Sequence, residues 1–88
     1  MEEQLQILKR TIQAMDQLVN SGAVRGINTV CNEAGVHGTK YREVRSKLRK
    51  GAMPRYFKAD PVVLSHLVKS YNISAHWLLT GIGSMQVK

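Results

Sequence analysis

From Asn28 to Lys50 the chain runs NTVCNEAGVHGTKYREVRSKLRK, and the remainder can be placed around it. The spacing predicts two short helices with a tight turn at Gly35-Val36. The first covers Thr29 to Ala34, with the Asn28 side chain placed to cap its free amides. Gly35 stands where a left-handed residue ends a helix, a conformation cheapest for glycine. Val36 is the apolar residue of the turn. The second helix begins near His37 or Gly38, continues to Lys50 and stops at Gly51. Helix, glycine turn and basic helix form the pattern of a helix-turn-helix over residues 28–50, a motif whose second helix enters the major groove of DNA.

Helical residues follow one another at about 100°, which puts Tyr41, Val44 and Leu48 within about 80° of each other as one buried stripe. The opposite face carries Thr39, Arg42, Glu43, Ser46 and Lys50. Lys40 and Lys47 flank one edge, Arg45 and Arg49 the other. An apolar back, a polar front and cationic edges suit a groove-reading helix: the front bonds to bases and the edges meet the two phosphate walls. An ordinary solvated amphipathic helix would share the stripe.

The distribution of charge narrows the choice. The net charge is +7, and between Gly38 and Lys58 stand eight cations, Lys40, Arg42, Arg45, Lys47, Arg49, Lys50, Arg55 and Lys58, with Glu43 the one anion. Elsewhere five residues of each sign cancel, so the whole excess sits on the second motif helix and the loop after it. Such a patch points to a polyanion, because cations that neutralise phosphates release condensed counterions. Membrane phosphates would attract it too, but the apolar stripe is narrow and has to close a core. Eighty-eight residues suit one small core and one domain, 1–88. No apolar run approaches the length of a membrane span, and Met1-Glu2-Glu3 is the wrong charge for a signal peptide. The lone cysteine, Cys31, excludes an internal disulfide and is compatible with a reducing cytosol.

Working outward, Leu5, Leu8, Ile12, Met15 and Val19, widened by Ile7, Ala14 and Leu18, predict an amphipathic helix from Glu2 to about Val19, with Glu2 and Glu3 favouring its dipole. Asn20-Ser21-Gly22 ends it, and 21–26 connects, with Arg25 solvated. Ile27, Val30, Ala34 and Val36 form the inner face of the first motif helix, with Cys31 as a buried thiol where two helices approach. In 52–59, AMPRYFKA, Pro54 breaks the periodicity; Met53, Tyr56 and Phe57 are expected to pin the loop to the core while Arg55 and Lys58 face out. Asp60-Pro61 opens the next helix as a capping carboxylate and a first-turn proline. Its stripe is Val63, Leu64, Leu67, Val68 and Tyr71, and Asn72 is its left-handed stop. Ser74 caps a last helix, Ala75 to Thr80, ended by Gly81. Trp77, Leu78 and Leu79 cannot all point inward from so short a helix, so one or two pack on the first helix and the rest are exposed.

Two segments, Asn28–Val44 with Gly35-Val36 at the turn and the tail SAHWLLTGIGSM from Ser74 to Met85, resemble the phage-repressor-like helix-turn-helix family, the lambda-repressor-like or XRE fold. The tail looks like the S-x-x-W-L-L-T-G-x-G run common in such domains. The resemblance covers roughly residues 5 to 85 and implies an all-α, compact five-helix bundle whose third helix is the basic one. It implies base-reading positions at His37, Gly38, Thr39, Arg42, Glu43 and Ser46. Gly38 offers no side chain where family members often carry glutamine or serine, and the helix runs on through Lys47, Leu48, Arg49 and Lys50 where an acidic stop is usual. On this reading Arg42 makes a bidentate contact to guanine, Glu43 accepts from cytosine N4, and Thr39 touches a thymine methyl or a phosphate. Lys40, Arg45, Lys47, Arg49, Lys50, Arg55 and Lys58 hold phosphates, joined by donors at the helix start from Asn28 and Thr29. By analogy a homodimer is expected, through Trp77, Leu78 and Met85 or through the first helix.

The function expected is sequence-specific binding of double-stranded DNA by a bacterial or prophage-type transcriptional repressor, cytoplasmic and nucleoid-associated. The alternative is the same fold repurposed for protein contact, in an antitoxin-like or adaptor role. An enzyme is not expected: His37, His66 and His76 have no cysteine or carboxylate partners at ligand spacing, and Glu33 with His37 forms no recognisable acid–base pair. His66 is expected to be solvated. No metal, cofactor or small-molecule substrate is implied. RNA has little support, since the few aromatics are not arranged as a stacking platform.

Overall fold

Each amphipathic segment leaves an apolar stripe that only the other segments can cover. The structure is a computed structural model that describes residues 2–56 and 58–86, without the side chain of Glu2. Its helices are α1 (Glu2–Asn20), α2 (Ile27–Ala34), α3 (Thr39–Arg49), α4 (Pro61–Tyr71) and α5 (Ala75–Thr80). No strand forms among the described residues; the single β-bridge, Ile73 to Gln86, brings the chain after α5 back beside the α4–α5 connection. The radius of gyration is 11.9 Å, close to the value of about 12 Å expected for a close-packed chain of this length. Among the described residues no helix is long and apolar enough to cross a membrane.

The α1 stripe buries Leu8, Ile12, Ala14, Met15 and Leu18, with Thr11 among them. Thr11 is tolerated because its hydroxyl donates to the Ile7 carbonyl at 2.8 Å. α1 packs on α2 and α5, and α2 packs most extensively on α4. Arg10 ties α1 to the end of α5: its Nε donates to Leu78 O at 2.8 Å and its Nη2 to Leu79 O at 3.0 Å. Two carbonyls that the short helix leaves open are thereby satisfied. Trp77 and Leu78 are buried in this core while Leu79 is 50% exposed, so the short helix divides its apolar residues as expected.

The helix stops fall where local chemistry puts them. Gly35 (φ 82), Asn72 (φ 57) and Gly81 (φ 77) close α2, α4 and α5 in the left-handed region, and Gly51 (φ 72) follows α3. Ser74 caps α5, accepting from Trp77 N at 3.2 Å, and Pro61 opens α4. Three expectations fail. α2 begins at Ile27 rather than Thr29, because Ile27 is buried and helical phase brings it inward. Asn28 therefore lies inside the first turn and caps nothing, and the residue before the helix is Gly26. Asp60 precedes α4, but its side chain makes no cap bond; it turns to α3 instead. In the 52–59 loop Arg55 and Lys58 face out as expected, but Met53 is 69% and Tyr56 39% exposed, and Pro54 is the buried residue. Phe57 lies outside the described residues.

Candidate nucleic-acid interface

The inner face of α3 seats Tyr41 and Val44 at full burial, with Leu48 packed against the same core. The turn before it is tight. Gly35 N–H donates to Asn32 O at 3.1 Å and Val36 N–H reaches back to Cys31 O at 2.9 Å, so α2 ends in a glycine-centred motif. Gly38 is buried in the following step, and a Cβ built there would overlap the Asn28 carboxamide. A side chain at 38 would therefore require the exposed Asn28 carboxamide to swing aside, while the Asn28 backbone stands off at 3.4 Å.

Tyr41 also fixes α3 to the start of α4. Its hydroxyl donates to Asp60 Oδ2 at 2.7 Å and accepts from Asp60 N–H at 2.9 Å. Burial, and then the Asp60 carboxylate, push the phenol pKa above its ordinary range, so this group is a neutral donor at any physiological pH. Cys31, also buried, has its thiol pKa pushed up by the same desolvation and is inert packing.

With its back so held, α3 exposes Thr39, Arg42, Ser46, Lys47, Arg49 and Lys50, and His37 is exposed just ahead of it. Arg42 Nη2 lies 3.4 Å from Thr39 Oγ1. Arg42, Lys47, Lys50 and Lys58 form no ion pair among the described residues. The other cations of the patch are engaged. Arg45 pairs with Asp16 of α1 at 3.0 Å, with Arg49 at 4.0 Å from the same carboxylate. Lys40 lies 3.4 Å from Asp60, and Arg55 2.8 Å from Glu43. Bonding to Glu43 raises the Arg55 pKa further. Eight cations thus face three carboxylates, Glu43, Asp16 and Asp60, which leaves a local excess of five positive charges.

The candidates split accordingly. His37, Thr39, Arg42 and Ser46 share the open side, whereas Glu43 is half-buried and occupied by Arg55. Thr29 is half-buried, and its amide donates to Gly26 O at 3.1 Å, so it is no free helix-start donor. Trp77 and Leu78 are core residues, Met85 is half-buried, and Leu79 and Ile82 are the exposed apolar groups of this end of the chain. Asp16 and Asp60 also belong to this surface, through Arg45 and through Lys40 and Tyr41. No local signal marks them, since Asp16 meets Arg45 across 29 positions and Asp60 has every feature of a helix cap.

Away from this surface, His66 is not solvated as expected. Its Nε2 lies 2.8 Å from Glu33 Oε1, and its ring stands edge-on to Tyr71, 5.5 Å between centroids. The Tyr71 hydroxyl donates to the same Glu33 oxygen at 2.5 Å. The two bonds lower the Glu33 pKa, Tyr71 first, and the Tyr71 pKa is pushed up to about 12 in return. Among the described residues no group of three or more histidine, cysteine, aspartate and glutamate side chains is placed to hold a metal. No known family model, characterised protein or solved structure matches the chain.

Proposed function

We propose that the protein binds double-stranded DNA with sequence preference through α3, as a transcriptional repressor of the lambda-repressor-like helix-turn-helix kind. The observation that carries this is the placement of α3. Tyr41, Val44 and Leu48 are turned inward, Thr39, Arg42 and Ser46 outward together, and the chain's positive excess is gathered around that outward face. A face of this kind, cationic at the edges and polar at the centre, has a physical use in a groove whose walls are phosphate and whose floor is hydrogen-bonding base edges. The helix order, the glycine-closed α2 and the Ser74 cap before Trp77-Leu78 agree with the sequence resemblance. Arg42 is the leading reader, being exposed and without a carboxylate partner among the described residues. A repressor of this kind acts in the bacterial cytoplasm, on the nucleoid.

The test is selection of the full chain against a pool of random duplexes at stated salt, followed by gel shift. Enrichment of one motif supports the proposal; recovery of no motif removes it. A protein-contact role, antitoxin-like or adaptor, is favoured by one observation only. A shallow apolar hollow of about 260 Å³ between α4 and α5, lined by Leu64, Val68, Leu78 and Leu79, lies beside exposed apolar groups. None of the eight cations gathered on α3 and the loop after it lines that hollow.

A further inference from the structure

We propose that Glu43 is a positioning residue and not a base reader: it holds Arg55 at one edge of α3 as a second, pre-set contact to a phosphate wall. The inference rests on the DNA reading above. Two described residues of the stretch after α3 bond back to it: Arg55 to Glu43 at 2.8 Å, and Asp60 to Tyr41 through both its amide and its carboxylate. Between these, the Tyr56 ring lies 5.8 Å from Lys40 Nζ and 5.6 Å from Arg55 Cζ. The partners on α3 are residues 40, 41 and 43, all on its N-terminal half. Among the described residues none of these contacts is to Thr39, Arg42 or Ser46, all of which are exposed.

The burial within the Glu43–Arg55 pair points the same way. The carboxylate side chain is 30% exposed and the guanidinium side chain 73%. The acid sits at the protein end of the pair and the cation at the solvent end. Nη2 is engaged with Glu43, and a guanidinium has five N–H donors in a rigid fork, so donors remain for a phosphate. An arginine already held in place loses less side-chain freedom on binding than a free one. The opposite edge of α3 is built alike, with Asp16 holding Arg45 and Arg49. Each edge therefore owes its shape to an acid drawn from elsewhere in the chain or turned away from the front.

The experiment measures affinity of the full chain for the duplex that the wild type selects, as wild type, Glu43→Ala, Glu43→Gln, Arg55→Ala and the Glu43→Ala/Arg55→Ala double variant. Binding is read by anisotropy at several salt concentrations, below each variant's melting transition as located by circular dichroism. Glu43→Ala removes a negative charge from a DNA-facing surface, yet it is expected to weaken binding about five-fold, as the loss of one phosphate contact does, with a salt slope shallower by about one. Glu43→Gln, which keeps an acceptor for Arg55, recovers part of the loss, and the double variant is no weaker than Arg55→Ala alone. The selected motif is unchanged throughout. Tighter or unaltered binding by Glu43→Ala overturns the inference, since the carboxylate then only repels phosphate or does nothing. A changed motif overturns it in favour of base reading. If the wild type selects no duplex, the DNA reading itself falls and this inference with it.

Discussion

Replacing Tyr41 by phenylalanine removes one oxygen, and the structure sets the cost. That oxygen donates to Asp60 Oδ2 at 2.7 Å and accepts from Asp60 N–H at 2.9 Å. A hydrogen bond to a charged group contributes about 1.5–3 kcal/mol and a neutral one about 0.5–1.5 kcal/mol. The Asp60 side chain is 39% exposed, so water re-solvates the carboxylate once the phenol is gone. The lower end of the combined range therefore applies, about 2 kcal/mol. Phenylalanine fills the same fully buried site, so no cavity adds to this. At about 4–8 °C per kcal/mol for a domain of this size, Tm falls by roughly 8–16 °C. The assay is thermal and urea unfolding at pH 7, followed by circular dichroism, for wild type, Tyr41→Phe, Asp60→Asn and the double variant. Because both substitutions act on one junction, the double variant should lose less than the sum of the two. A Tyr41→Phe chain within about 0.5 kcal/mol of wild type, the ordinary scatter of surface substitutions, would show that the junction does not hold α3.

Gly38→Ser should destabilise by about 1 kcal/mol, since its Cβ meets the Asn28 carboxamide, and Asn28→Ala in the same chain should recover most of that in urea unfolding. Glu33 has a folded pKa below its unfolded one, so its contribution is present above the ordinary carboxylate pKa, about 4.3, and is lost as pH falls below it. Glu33→Gln should flatten the acid limb of a stability–pH profile. Tyr71 behaves oppositely: its raised pKa gives a contribution present below about 10 and lost as pH rises towards about 12, a loss that Tyr71→Phe should not show. Leu78→Ala should cost about 2–5 kcal/mol in unfolding, the range for a buried leucine, because Leu78 is core and not a free surface.

What could be read from the residues in order was what local chemistry decides. Gly35, Gly51, Asn72 and Gly81 stop or follow helices because the left-handed backbone is cheap there, and Ser74 and Pro61 start them. The Tyr41, Val44, Leu48 stripe follows from helical period alone. The remainder depended on neighbours distant in the chain. Asp60 has the sequence of a cap, but a buried phenol 19 positions earlier competes for its carboxylate and wins. Asn28 has the sequence of a cap too, but the demand to bury Ile27 starts the helix before it. Glu43 and Arg45 belong to the basic helix by position, yet Arg55 and Asp16 decide what each can touch. In the 52–59 loop, the apolar character of Met53 and Tyr56 points to the core, yet both are exposed and Pro54 is the buried residue. Pro54, five residues past the end of α3, borders one hollow with Leu5 and Lys9 of α1 and Leu48 of α3, a placement set by neighbours far from it in the chain.

The central claim is that the open face of α3 reads bases while its edges hold phosphates. It is tested most directly by titrating Arg42→Ala and Lys50→Ala against the duplex selected by the wild type and a scrambled duplex of equal length. Arg42→Ala should lose about 1–3 kcal/mol of the preference between the two duplexes. Lys50→Ala should weaken both duplexes alike, with a salt slope shallower by about one. Equal, salt-insensitive binding of both variants to both duplexes would contradict it.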